Sequence, residues 1–201
     1  MTSRAEQRND IRSRRRRLAQ ADRHAAARAA ADAFVHTRLF AVSGRIALYL
    51  AVDGELDAAA LIQRCWRSGK SVYLPVLSTD RHAHLDFVRY QAHSRLQPNR
   101  FGILEPVAAP GDRVPARALD LVMTPLVAFD ADGNRLGMGG GYYDRTFAYL
   151  RHRVHWKKPR LIGFAYAFQQ LPAVGREHWD VPLDGVVTEN GYQSFTGVNG
   201  P

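Results

Sequence analysis

The chain of 201 residues contains a single cysteine, Cys65. An intrachain disulfide framework and a cysteine-rich zinc site are therefore excluded, and a lone thiol suits a reducing compartment. Long apolar runs are also missing. The longest, Ile46 to Val52, is far short of the roughly 20 residues that span a bilayer. No apolar stretch backs the charges at the N-terminus, so the expectation is an unexported, cytoplasmic protein with no membrane partner. The histidines include no HxxxH or HExxH spacing, and His82, His84 and His93 scatter through a strand and a loop. That pattern argues against a transition-metal site. Composition is not biased: 46% hydrophobic and 23% charged residues exclude a disordered tail or a collagen-like fibre.

What is present in excess is positive charge, net +9. Its location matters more than its size. Residues 1–40 hold ten arginines against four acids, a local +6, and residues 151–160 hold five cations and no acid. The remainder of the chain is slightly acidic. Either patch could neutralise a small polyanion as readily as a nucleic-acid backbone. The run Arg14-Arg-Arg-Arg17 spreads over all faces of a helix, so at least one of the four must face the protein body.

Ser3 followed by Glu6 has the form of a capping box, and Ile11, Leu18, Ala25 and Ala29 recur at near-heptad steps. Two helices are expected to meet near Gln20, with Asp22 as a second N-cap, and to end about Thr37. Arg45 to Ala51 reads as a buried strand, Leu56 to Ser68 as a helix closed by Gly69, and Ser71 to Pro75 and His84 to Tyr90 as strands. Proline and glycine from Pro98 to Arg117 predict an ordered excursion without regular structure. Asp120 to Phe129 reads as a further strand, Tyr142 to Arg153 as a helix, and Leu161–Ala165 and Gly185–Thr188 as closing strands. Apolar strands alternating with helices imply an α/β domain with a largely covered sheet.

The densest chemical signal lies between Phe129 and Arg145. Glycines 137, 139, 140 and 141 remove side chains just before a helix start, where backbone N–H groups and the helix dipole can favour a phosphate. The stretch lacks the Gly-Lys-Ser/Thr ending of a P-loop and misses GxGxxG because position 142 is Tyr, which disfavours a standard NTPase or dinucleotide fold. Asp144 would repel a phosphate directly but could hold a bridging Mg²⁺; the bland alternative is that it complements the helix dipole. Arg135 and Arg145 flank the loop with positive charge. Cys65 beside Trp66 reads as a packed thiol, and Asp184 as a turn or cap residue.

The stretch Asp130-x-x-Gly-Asn-Arg-Leu-Gly-x-Gly-x-Gly-Tyr-Tyr-Asp144 resembles the 5-formyltetrahydrofolate cyclo-ligases, also called methenyltetrahydrofolate synthetases. Supporting matches are Arg8-x-x-x-Arg12, Tyr49-Leu-Ala-Val-Asp-Gly-Glu55, Tyr73-Leu-Pro75, Phe101-Gly-Ile-Leu-Glu-Pro106 and Trp179-Asp-Val-Pro-Leu-Asp184, so the likeness runs from about Arg8 to Gly191. The resemblance implies ATP-dependent closure of 5-formyltetrahydrofolate to 5,10-methenyltetrahydrofolate, with ADP and phosphate released. It implies ATP on Arg8, Arg12, Arg135, Leu136, Gly137, Met138, Gly139, Gly140, Gly141, Tyr142 and Tyr143. It implies Mg²⁺ on Asp144 and Asp180, and the folate against Leu50, Glu55, Phe101, Tyr142 and Tyr143. Arg135, Gly139, Gly140, Gly141 and Tyr142 would line the reacting centre. Two departures stand out: many members carry Arg or Lys where this loop has Met138 and Gly140, and some carry Trp where this chain has Phe101.

The expectation is thus a single three-layer α/β domain with a mixed sheet. A basic helical arm (residues 1–39) precedes the body (40–192) and a short tail (193–201). Its partners would be small molecules, not nucleic acid, and it would act as a monomer. Two other readings remain open at this point: a basic nucleic-acid-binding module, and another ATP-dependent ligase or kinase on the same scaffold.

Overall fold

The computed structural model of the chain describes residues 3–78, 84–109, 111–152 and 158–195. His82, residues 153–157 of the second basic patch and most of the tail lie outside them. The arm is helical, as α1 (Arg4–Arg17) and α2 (Gln20–Val35). The capping box forms: Glu6 N–H donates to Ser3 Oγ at 3.2 Å, and Ser3 N–H donates to Glu6 Oε2 at 2.6 Å. Asp22 does not cap α2. The cap is Ala19, because Arg23 donates back to the carbonyls of Leu18 and Arg16 and so draws the helix start close to the end of α1.

The body follows as α3 (Arg38–Val42), β1 (Arg45–Ala47), α4 (Ala59–Arg67), β2 (Ser71–Leu77) and β3 (Leu85–Arg89). Next come the hairpin β4 (Leu96–Pro98) and β5 (Leu104–Pro106), then β6 (Arg113–Val114) and β7 (Leu121–Thr124). A second hairpin, β8 (Ala128–Phe129) and β9 (Arg135–Leu136), leads to α5 (Tyr142–Phe147), β10 (Arg160–Phe164), β11 (Gly185–Thr188) and β12 (Gly191–Ser194). Eight strands form one mixed sheet in the order β12-β11-β10-β7-β1-β2-β3-β6, parallel through its centre from β11 to β2.

Period-two alternation divides the core between the two faces. Ile46, Leu48, Met123, Ile162 and Val187 pack with Phe34, Leu61 and Cys65 of α2 and α4. Their neighbours Ala47, Val122, Leu161 and Val186 pack with Phe147 of α5 and with Leu150. The sheet is therefore the middle of three layers. Arm helix α1 has its own small cluster, with Ile11 wholly buried against Val127, Ala128, Leu136 and Val174.

Several expected elements are shorter or divided. The first strand ends at Ala47, and the chain then leaves the sheet and turns at Asp53-Gly54, both at positive φ. Pro125, which has no N–H to donate, separates β7 from β8, so Asp120 to Phe129 is not one strand. The helix expected to reach Arg153 is α-helical only to Phe147 and continues as a 3₁₀ turn, Ala148–His152. The stretch from Pro98 to Arg117 contains short strands after all, and β12 carries the sheet past residue 192.

Topology locates the site. From β1 the chain crosses through α4 to β2; from adjacent β7 it crosses through α5, on the opposite face, to β10. The connections diverge between β1 and β7, and ligands of open α/β sheets bind at the carboxyl ends of the strands at such a point.

Candidate active site

A cavity of about 730 Å³ opens at the carboxyl ends of β1 and β7, within the range of small-molecule sites. Tyr49, Leu50 and Glu55 line it from the segment after β1, and Pro125 from the segment after β7. The glycine-rich turn between β9 and α5 forms one wall, and Arg4 and Arg8 enter from α1.

Gly141 is the N-cap of α5, in the left-handed region at φ +65°, and a Cβ there would lie 2.7 Å from Arg145 Nη1. The left-handed φ is what calls for glycine, since the far end of the Arg145 side chain can give way. Arg145 Nη2 donates to Gly140 O at 2.6 Å, and Arg8 Nε donates to Gly137 O at 2.8 Å, so cations brace the turn from two sides. The N–H groups of Met138, Gly139, Gly140 and Gly141 make no hydrogen bond within the described residues. They are available to an anion.

Behind the turn, Arg135 is almost wholly buried. Its Nη2 donates to Asp144 Oδ1 at 2.6 Å, its Nη1 donates to Val181 O, and Val181 N–H donates to Asp144 Oδ1 at 3.1 Å. Asp180 Oδ2 accepts from Arg4 Nη1 at 3.1 Å and from Glu177 N–H at 2.9 Å. Each carboxylate is thus engaged through one oxygen. Among the described residues no cluster of three or more metal-ligating side chains exists, so protein ligands alone would not complete a metal shell. Two hard oxygen donors near the unpartnered N–H groups of the turn nevertheless suit Mg²⁺, which binds through one or two carboxylates plus phosphate oxygens and water.

The opposite rim is the β4–β5 hairpin. Asn99 Oδ1 accepts from Phe101 N–H and Ile103 N–H at 2.8 and 3.1 Å, while Asn99 Nδ2 donates to Glu105 Oε1 at 2.7 Å. Glu105 in turn accepts from Leu77 N–H at 2.9 Å, which moors the hairpin tip to β2. This presents Phe101, 57% exposed, edge-to-face to Tyr142 with ring centres 6.0 Å apart. Arg100 donates to the Tyr142 hydroxyl.

On the floor, Glu55 Oε2 accepts from Val52 N–H at 3.1 Å. Burial pushes its carboxyl up to about 7 against the lowering effects of Val52 N–H and Arg15. Burial, and then the charge of Glu55, likewise raise the Tyr143 hydroxyl.

Of the residues expected at the site, Arg8, Leu50, Glu55, Phe101, Arg135, Gly137, Met138, Gly139, Gly140, Gly141, Tyr142, Tyr143, Asp144 and Asp180 all line this cavity. Arg12 and Leu136 do not. Arg12 Nε is bound to Asp53 Oδ2 at 2.6 Å, and Leu136, alternating with Arg135 along β9, is buried beneath α1. Asp53 also pairs with Arg16 at 2.6 Å and with wholly buried Arg15 at 3.5 Å, the member of the arginine run that faces the body. Arg4 and Trp179 line the cavity without having been singled out. The i, i+4 step from Arg4 to Arg8 was a readable signal for the first. Lys158 and Arg160 sit at the far, amino-terminal end of β10, paired with Asp120 and Asp184; Asp184 also accepts from Leu161 N–H, a bond across to β10 rather than a cap within its own turn.

A family model described as the 5-formyltetrahydrofolate cyclo-ligase family matches residues 1–189. The chain is 42% identical over 178 residues to 5-formyltetrahydrofolate cyclo-ligase of Escherichia coli, covering 89% of this chain and 96% of that one. It is 47% identical over 140 residues to the Haemophilus influenzae protein of that name, covering 69% and 72%. Its fold is similar to the NMR structure of Aquifex aeolicus 5,10-methenyltetrahydrofolate synthetase, with a TM-score of 0.79 and 30% identity over 98% of this chain and 95% of that one. A glycine turn at a topological switch point and a match along nearly the whole chain lead to one conclusion: the chain belongs to the 5-formyltetrahydrofolate cyclo-ligase family and is a ligase.

Proposed function

We propose that the protein closes 5-formyltetrahydrofolate to 5,10-methenyltetrahydrofolate at the expense of ATP and with Mg²⁺. The observation that carries this reading is the turn Gly137–Gly141, whose unpartnered N–H groups share one cavity with Arg8, two carboxylates and the exposed ring of Phe101. A phosphate chain and a flat ring system can be held side by side there. Asp144 and Asp180 would hold Mg²⁺, which when bound supplies charge neutralisation to the phosphates.

A formamide oxygen is a poor leaving group. In the proposed course the γ-phosphoryl passes to that oxygen and ADP leaves. N10 then attacks the activated carbon, the C–O bond breaks to release phosphate, and the N10 proton departs. Such transfer depends on positioning and charge stabilisation more than on a protein nucleophile. The amide groups of the turn and Arg8 orient the phosphates, and Arg135 holds Asp144 in place. Glu55, with a pKa near 7 and one oxygen outside its bond to Val52, is suited to take the N10 proton.

The reading takes the protein to act as a monomer on two small molecules. Asp53 takes up three of the arm's arginines, which removes much of the basis for a polynucleotide reading. No described helix is long and apolar enough to cross a membrane. The test is incubation with Mg-ATP and 5-formyltetrahydrofolate while following the absorbance of the methenyl product. Product with one ADP per turnover is expected; absence of product, or product formed equally without ATP, overturns the reading.

A further inference from the structure

Arg15 on α1 is wholly buried, an unusual place for a guanidinium, and the bonds around it satisfy it only in part. Its Nη1 donates to Leu126 O at 3.3 Å, its Nη2 stands 3.5 Å from Asp53 Oδ2, and its Nε has no hydrogen-bond partner among the described residues. Asp53 does not fully neutralise it, because the two oxygens of that carboxylate are held more closely, at 2.6 Å each, by Arg12 and Arg16. A buried cation so loosely paired is a poor source of stability. Its charge is left over for another group.

That group is Glu55. The turn Asp53-Gly54, both residues at positive φ, leads directly into it, and a Cβ at Gly54 would lie 3.5 Å from Arg15 Cβ and from Arg15 O. The turn is thus folded against α1. Glu55 N–H donates to Val52 O at 3.0 Å and Glu55 Oε2 accepts from Val52 N–H at 3.1 Å, which fixes the carboxyl at the cavity floor. The groups that face it are Arg15 from α1, Asp53 from its own turn, Tyr49 from the segment after β1 and Tyr143 from α5. Burial raises both tyrosine hydroxyls, which stay neutral. Arg15 is therefore the cation acting on Glu55, and Asp53 the anion that competes with it.

We infer that Arg15 is a positioning residue for Glu55: it seats the Asp53-Gly54 turn against α1 and places a buried positive charge beside the carboxyl that is to receive the N10 proton. The inference rests on the reading of Glu55 as the acceptor of that proton. The acceptor must be a carboxylate before the N10–H bond breaks, and burial favours the protonated acid. Arg15 works against burial, and Asp53 works against Arg15.

The experiment titrates the side-chain carboxyl carbon of Glu55 by NMR in the full chain, its resonance assigned as the one lost in Glu55→Gln. In parallel, kcat/KM for 5-formyltetrahydrofolate is measured against pH at saturating Mg-ATP. Arg15→Met keeps the length of the side chain without its charge, and Asp53→Asn keeps an acceptor in a residue type that tolerates the left-handed backbone. Arg15→Met should raise the Glu55 midpoint by about one unit or more and carry the acid limb of kcat/KM upward with it. Asp53→Asn should move both downward. Opposite directions are the signature, because a loosened turn would hydrate Glu55 and lower the midpoint in both variants. An unmoved midpoint in Arg15→Met, or shifts of the same sign, overturns the inference. Where Arg15→Met does not fold, Arg15→Gln, which can still donate to Leu126 O, takes its place, and an Asp53→Asn midpoint that rises or stays overturns the inference by itself. Midpoints that move as expected while the acid limb stays in place overturn Glu55 as the proton acceptor, and this inference with it.

Discussion

Arg135 and Asp144 face each other across 2.6 Å, the guanidinium almost wholly buried and the carboxylate at the cavity wall. Burial lowers the Arg135 pKa, and Asp144 and Asp180 oppose that. Because Val181 joins the same pair through its N–H and its carbonyl, the contact ties α5 to the segment that carries Asp180.

Asp144→Asn keeps a hydrogen-bond acceptor but removes the charge opposite Arg135. It should lower stability by about 2 kcal/mol in urea unfolding, the scale of one charge-assisted hydrogen bond. If Asp144 also holds Mg²⁺, the KM for Mg-ATP should rise far more than the KM for the folate. An unchanged Mg²⁺ dependence would remove Asp144 from the metal shell.

The arm combines anchoring with ligand contact, and single substitutions separate the two. Ile11→Ala opens the cluster beneath α1 and should cost roughly 2–5 kcal/mol. Arg8→Ala removes the bond to Gly137 O and should cost only about 1–2 kcal/mol, while raising the KM for ATP by about tenfold or more through loss of a charged donor. Deleting residues 1–12 mixes both effects, because Ile11 leaves with Arg8.

Glu55 gives a pH signature. Its folded pKa of about 7 lies above the ordinary glutamate value of about 4.3. Between these values the folded chain binds more protons than the unfolded one, so this group's contribution to stability falls as pH rises and then levels off above 7. Glu55→Gln keeps the acceptor for Val52 N–H and should flatten that slope, adding a few kcal/mol at pH 8, since each pKa unit is about 1.4 kcal/mol. Unfolding free energies of both proteins from pH 4.5 to 8 would decide it; parallel curves would count against a raised pKa.

Phe101 is mostly solvent-exposed, so its replacement should read in binding and not in folding. Phe101→Ala should raise the KM for 5-formyltetrahydrofolate several-fold, on the order of the 0.5–1.5 kcal/mol of an aromatic contact. Phe101→Trp should restore it. A fall in Tm without a KM effect would make the ring a packing residue.

The glycine turn was legible in the sequence because its causes are local: removed side chains, a helix start and flanking cations. The three-layer body was legible for a similar reason, since β1, β7 and β10 are apolar on both faces. Arg12 was not. Spacing aligns it with Arg4 and Arg8, but its partner Asp53 arrives only when the chain turns back through the left-handed pair Asp53-Gly54. β12 was missed because Gly-Tyr-Gln-Ser is largely polar and joins the sheet through backbone pairing with β11. The half-exposed indole of Trp179 was equally unreadable, because sequence spacing does not reveal which large apolar residues a turn leaves outside the core.

The docking of α1 bears on the order in which the protein is made. Through Gln7, Arg8, Arg12 and Arg15 the helix holds Ala173 O, Gly137 O, Asp53 and Leu126 O, and through Arg4 it holds Asp180. Every one of these lies later in the sequence, Asp180 by 176 residues. On the ribosome α1 thus precedes all of its partners and cannot seat until they follow, and contacts so distant in sequence close slowly. The body can assemble around its sheet first, and the cavity is completed when α1 docks and brings Arg4 and Arg8 to it.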